Sequence, residues 1–277
     1  MRKMLIAAVL GLTWMSCGPA PETAKPPIRT QPVTKEEVFN IGRQFYLDRR
    51  YDSAEVYLTK ASGMDASYFA PLSELANMQY ALGLQETGEE NPRRLEHFKK
   101  SFGYFVRLEA HGMRDSEVLE RLSELSSALD DDKAFVRYAN KNAELYPYER
   151  QYLNLGLAFF QVADYQNVIR AGKEAIEKFK GSTYTGGFYR QLGRAYMKID
   201  RDQTAERTFD TGIKAVDAVI SDRGKTDVGF KSTEDYHRLI DDKIGMLVSL
   251  KSLHQTYRAT EKLQNVERQL KDLGYEK

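Results

Sequence analysis

The sequence predicts an all-α chain in which about five to six helix pairs stack side by side as an α-α superhelix. Two observations carry that expectation. An aliphatic-glycine pair returns at Ile41-Gly42, Leu155-Gly156 and Leu192-Gly193, and an aromatic follows three residues after each glycine, at Phe45, Phe159 and Tyr196. Tyr51 and Tyr165 come nine residues after the first two glycines, and Ala54, Val168 and Ala205 twelve after all three. The second observation is an amphipathic stripe, Ala54, Tyr57, Leu58 and Ala61, whose i, i+3, i+4, i+7 spacing makes one helix face. Ala205, Phe209 and Gly212 continue that theme. A glycine inside a helix costs about 1 kcal/mol against alanine, so its return at one place argues for close approach of a second helix.

In chain order, Arg2 and Lys3 precede an apolar run from Met4 to Trp14, then Met15-Ser16-Cys17. A basic start, a short apolar core and a small residue at the cut describe a secretory leader over residues 1–16. The run falls well short of the roughly 20 residues of a membrane span. Cys17, the single cysteine, is placed as in a bacterial lipobox, with Trp14 where that box usually carries an aliphatic residue. That resemblance implies acylation at Cys17. Residues 17–33 follow with Pro19, Pro21, Pro26, Pro27 and Pro32, a composition that favours an extended tether reaching about 40–50 Å. Thr34 reads as a helix N-cap, with Glu37 three residues on.

Helical units are expected over 34–221. The first runs through Val38, Ile41, Gly42, Phe45, Tyr51, Ala54, Leu58 and Ala61. A second, degenerate one starts near Tyr68 with Leu75-Ala76 in place of the glycine pair, and its link to the third is lengthened around Glu86 to Pro92. The third is built on Leu119 and Leu122 and ends at Pro147. Tyr152 to Ala175 gives the fourth and Tyr189 to Phe209 the fifth. Within 222–277 a pair, Thr233 to Leu250 and Leu253 to Leu273, lacks the motif and reads as a capping unit. These residues resemble the tetratricopeptide repeat (TPR), a helix-turn-helix unit of about 34 residues.

The resemblance implies a groove lined by the first helix of each pair. Carried over position by position, it names Phe39, Arg43 and Tyr46, then Asn77 and Tyr80, then Leu153, Leu157 and Phe160, and finally Arg190, Arg194 and Lys198. Such a groove is apolar in its middle and basic towards its carboxyl-terminal side, and suits a peptide with hydrophobic anchors and an acidic stretch. The lysine-asparagine carboxylate clamp of chaperone-binding members is not reproduced, because Phe39, Leu153 and Arg190 stand where its lysine belongs.

Other chemistry is sparse. Without Arg2 and Lys3 the chain carries 39 basic against 40 acidic residues, no electrostatic footprint for nucleic acid. The histidines, His97, His111, His237 and His254, form no H-E-x-x-H, and His237 with Asp241 supplies only two ligands. Asp130-Asp131-Asp132 lacks the alternating ligands of a calcium loop and reads as helix capping. Gly181 to Gly187 has Gly187 where a P-loop needs lysine, and reads as a turn between units. The expectation is therefore a non-enzymatic scaffold or assembly factor, without metal or cofactor. It is lipid-anchored in a bacterial envelope, with Gly18 after Cys17 favouring the outer membrane facing the periplasm, and it binds a protein or peptide. The rival expectation is an envelope lipoprotein that binds a small molecule or glycan and is coupled to a transporter; an open trough or a closed cavity discriminates the two.

Overall fold

The computed structural model describes residues 33–275. The leader, Cys17 and all but the last residue of the 17–33 tether lie outside them. Twelve α-helices and no strand occur among the described residues, making six pairs. They are α1 (Lys35–Leu47) with α2 (Tyr51–Met64), α3 (Ala70–Gln85) with α4 (Pro92–Ala110), and α5 (Ser116–Ala128) with α6 (Asp132–Leu145). Then come α7 (Glu149–Gln161) with α8 (Tyr165–Lys178), α9 (Thr185–Lys198) with α10 (Asp202–Thr226), and α11 (Glu234–Thr256) with α12 (Thr260–Asp272). Each helix packs on its successor, and the first helices also meet one another along α1–α3 and α7–α9–α11.

One backbone device closes five of the six pairs. Arg49, Asp130, Ala163, Asp200 and Arg258 each adopt a left-handed conformation, with φ between 54° and 59°. Beyond each, a backbone N–H reaches back five residues to a carbonyl at 2.9 Å: Arg50 to Phe45, Asp131 to Ser126, Asp164 to Phe159, Arg201 to Tyr196 and Ala259 to His254. This is the Schellman ending, which satisfies carbonyls that the helix terminus leaves without partners. Asp115, Asp131 and Asp164 then cap the amino ends of α5, α6 and α8 through their carboxylates, and Thr233 does so for α11 through its hydroxyl.

The recurring turn corrects three expectations. The final pair has the same turn as the others, with His254 in the acceptor place held by Phe45, so α11–α12 is a sixth unit of the same backbone design. Its first helix runs on to Thr256, past the expected break near Leu253, and α10 continues to Thr226 through the expected 221/222 boundary. The lengthened segment near Glu86 lies within the second unit, between α3 and α4, and not between the second and third. In the regular units the first helix ends two residues after the acceptor; α3 carries on from the equivalent Gln79 to Gln85, one turn further.

The repeated glycines do bring helices together. A Cβ on Gly42 would lie 2.9 Å from the Leu58 side chain on α2, and one on Gly193 would lie 2.3 Å from Phe209 on α10. Gly156 makes room differently, against Gln191 of α9, the next first helix. The predicted stripe is core: Ala54, Leu58, Ala61, Ala205 and Phe209 are buried. One apolar cluster runs without interruption from Phe135 to Leu270, while Leu72 to Tyr138 and Ala54 to Met78 form two smaller ones.

Candidate functional site

None of the eleven residues assigned to the groove from sequence is buried. At the amino-terminal end Phe39 meets Tyr68 edge-on at 5.6 Å, Arg43 pairs with Glu74 at 3.1 Å, and Tyr46 lies against Tyr51. Asn77 is exposed, and Tyr80 donates its hydroxyl to Glu124 Oε2 at 3.0 Å beneath the Arg121 guanidinium. Leu153 packs at the Gly187 backbone, and Leu157 is exposed. Phe160 carries Arg194 over its ring at 4.7 Å, which joins the fourth and fifth units across the face. Arg190 pairs with Asp242 at 3.1 Å, and Lys198 is exposed.

The middle of this face is not apolar as expected. A cavity of about 750 Å³ opens there, between the α1–α3 and α7–α9–α11 runs of closely packed first helices. Glu124 and Ser127 from α5, Arg150, Asn154, Leu157 and Gln161 from α7, and Glu89, Glu90 and Arg94 around the α3–α4 loop line it. Arg150 forms ion pairs with Glu120 and with Glu124, and Gln161 donates to Asp132 at 2.8 Å. Burial pushes the Glu120 carboxyl up from its ordinary range, with Arg150 opposing the shift. Sequence reasoning missed these third-unit residues because Leu122-Ser123 stands in the glycine-pair position and Ser126 in the aromatic one. The available signal was the run Glu117, Glu120 and Glu124, a charged stripe one helix turn apart.

The carboxyl-terminal end is less basic than its arginines suggest. Asp242 on α11 is buried against the amino-terminal turn of α9, where the Gly187 N–H faces its carboxylate. A Cβ on Gly186 would lie 2.5 Å from the Asp242 Cβ, so the two glycines admit α11 to this distance. The Gly181–Gly187 stretch is thus a turn at Gly181, with φ of 75°, followed by the first turn of α9 from Thr185. Helix amino termini attract anions, and here the anion is the protein's own Asp242. Desolvation raises its pKa to about 6, against the pull of Arg190, Arg238 and the Gly187 N–H.

The remaining motifs resolve simply. His237 and Asp241 are both exposed, and no group of three or more His, Cys, Asp or Glu among the described residues is placed to hold a metal. Asp131 caps α6, and Asp130 is the left-handed residue before it. No helix among the described residues is long and apolar enough to cross a membrane.

No protein-family model matches this sequence, and no curated protein matches it. Among solved structures, the chain superposes on YrrB, a TPR protein with an unusual peptide-binding site, with a TM-score of 0.50 and 15% identity. That match covers 65% of this chain and 84% of YrrB. The fold is the tetratricopeptide-repeat superhelix. A TPR protein from Parabacteroides merdae ATCC 43184 aligns over 88% of this chain and 94% of its own, with 15% identity and a TM-score of 0.47. MamA aligns over 69% and 94%, with 18% identity and a TM-score of 0.48. Each of the three glycine pairs falls in a unit closed by the Schellman turn, and the first helices α1 to α11 form the face that bears the candidate residues.

Proposed function

We propose that this chain is a non-enzymatic scaffold whose first-helix face docks an extended or helical segment of a protein partner. The observation that supports this most is the partition of side chains along the first helices. Leu75, Leu122, Leu155, Ala195 and Leu247 go into the core, while the eleven assigned residues keep accessible surface. The face offers an exposed leucine, Leu157, in a polar trough, with Phe160, Arg194 and Lys198 further along. That favours a partner with an apolar anchor followed by acidic residues. YrrB, by its description, has a peptide-binding site on the same fold.

The test is affinity capture from crosslinked envelopes with the native chain and with Arg194→Glu plus Lys198→Glu. Arg190 is left intact, because reversing its charge would strand the buried Asp242. Native bait should enrich partners that the double variant loses; equal recovery would remove the basic end from the docking face.

The address is part of the same proposal. The leader of residues 1–16, the lipobox-like placing of Cys17 and the proline-rich 17–33 segment support a lipid-anchored protein of the bacterial envelope, with the outer membrane facing the periplasm as its site. Cys17→Ser should move the protein from the membrane pellet to the soluble fraction. Retention in the pellet would sink the anchor.

A further inference from the structure

Arg190, Arg194 and Lys198 stand four residues apart on α9, a single stripe at the basic end of the docking face. Arg194 and Lys198 are exposed, but Arg190 turns aside. Its Nη1 lies 3.1 Å from Asp242 Oδ1, and a Cβ on Gly245 would come 2.7 Å from its Cδ, so its stem lies flat against α11. The Arg190 side chain is 36% exposed and that of Asp242 only 9%. The guanidinium therefore sits at the border between the internal ion pair and the open face. The carboxylate cannot follow it outwards.

We propose that Asp242 gates Arg190: ionised, it holds the guanidinium against α11, and protonated, it releases Arg190 to an anionic partner alongside Arg194 and Lys198. This inference rests on reading the first-helix face as a docking surface. The groups around Asp242 leave Arg190 as the cation that can exchange. From α9 come Arg190 and the Gly187 N–H; from α11 itself come Arg238 and Asp241. Arg238 is engaged elsewhere: it pairs with Asp235, donates to Thr183 at 2.9 Å and lies over the Tyr184 ring at 4.0 Å. From α10 and α7, the side chains meeting the same two glycines are Val216 and Leu153, both apolar. Burial brings the Asp242 carboxyl to about 6, so mild acidity protonates it. The proton moves onto the carboxylate oxygen, the ion pair is lost, and the guanidinium stays charged at every accessible pH.

Inorganic sulfate is a suitable probe, since it stays doubly charged across the range. Its binding would be followed at pH 5 and pH 7.5 through the arginine Nε–Hε signals, with the Asp242 carboxyl carbon titrated in the native protein. Native protein should bind sulfate several-fold more tightly at pH 5. Asp242→Asn should bind tightly at both values and Arg190→Gln weakly at both. An Asp242 carboxyl that stays ionised down to pH 4.5, or a pH dependence that survives in Asp242→Asn, would overturn the gate; the latter would point to the histidines. The two ideas fail separately. Partner capture that is indifferent to Arg194→Glu plus Lys198→Glu sinks the docking face, while sulfate binding judges the gate alone.

Discussion

The second unit and the fifth are built from the same parts, yet they hold together differently. In the fifth, α9 ends at the Schellman turn after Tyr196, Phe209 fills the space above Gly193, and the neighbouring first helices α7 and α11 both pack on α9. In the second, α3 overruns by a turn, and a Cβ on Gly83 in that extra turn would strike Phe98 at 2.4 Å. The acceptor place of Tyr196 is taken there by Gln79, which is buried and bound to polar side chains. Its Nε2 donates to Glu55 at 3.1 Å, and His97 Nδ1 donates to its Oε1 at 2.7 Å. The fifth unit belongs to the apolar cluster that runs from Phe135 to Leu270, and the second to the two smaller ones. Beside the overrun lies the trough, where Tyr80–Glu124 ties α3 to α5 and Arg150–Glu120 ties α7 to α5.

Deleting the ring of Phe209 is the strongest way to test that contrast. Phe209→Ala should cost about 3–5 kcal/mol, because a fully buried aromatic leaves a cavity that its neighbours fill only in part. The loss should spread, with faster amide exchange across α7 to α12, since one apolar cluster links them. Phe98→Ala, in the smaller cluster, should cost a similar amount but accelerate exchange mainly in α3 to α6. Identical exchange maps for the two variants would show that the clusters do not act separately.

The fifth–sixth junction should also carry a pH signature in the mildly acidic range. The folded pKa of Asp242, about 6, is above the ordinary carboxylate value of 3.8, so between those values the folded state holds a proton that the unfolded chain has lost. Its contribution is fully present below pH 3.8 and is lost as pH rises through 6. Asparagine does not titrate, so the stability of Asp242→Asn minus that of native protein should rise from pH 4 to pH 6.5 and then level off. The total change is about 2–3 kcal/mol at one pKa unit per 1.4 kcal/mol. A flat difference would mean that the carboxyl is not desolvated. In the second unit, Gln79→Ala should cost about 1–3 kcal/mol, since Glu55 and His97 lose a buried partner.

Much of the fold was legible because it rests on side chains with local spacing. Gly42, Gly156 and Gly193 are needed where a helix closes in, and Phe45, Phe159 and Tyr196 sit one turn on. The sixth pair was expected as helices but not as a repeat, because Leu250-Lys251 and His254 replace that signature while the backbone keeps it. A Schellman turn asks only for one left-handed residue, and Arg49, Asp130, Ala163, Asp200 and Arg258 share no side-chain chemistry that spacing could reveal. The trough was hidden too, since its walls come from the α3–α4 loop, α5 and α7, which lie far apart in sequence. Asp242 was illegible in principle: its partners Gly187 and Arg190 lie more than fifty residues earlier, and no local pattern joins them.

The smallest expected effect bears on the turn that distinguishes the five regular units. Ala163 holds φ of 56° with no side-chain group to compensate, a conformation that costs an alanine about 1 kcal/mol relative to glycine. Glycine also gains freedom in the unfolded chain, which offsets part of the relief. Ala163→Gly should therefore stabilise the protein by about 0.5 kcal/mol, measured as a shift in the urea midpoint at constant slope. The same change at Asp130 should yield less, because aspartate tolerates the left-handed region through local hydrogen bonding. If Ala163→Gly destabilises the fourth unit, the left-handed residue is there for its side chain, and the common turn is not the backbone device that sets these units apart from the second.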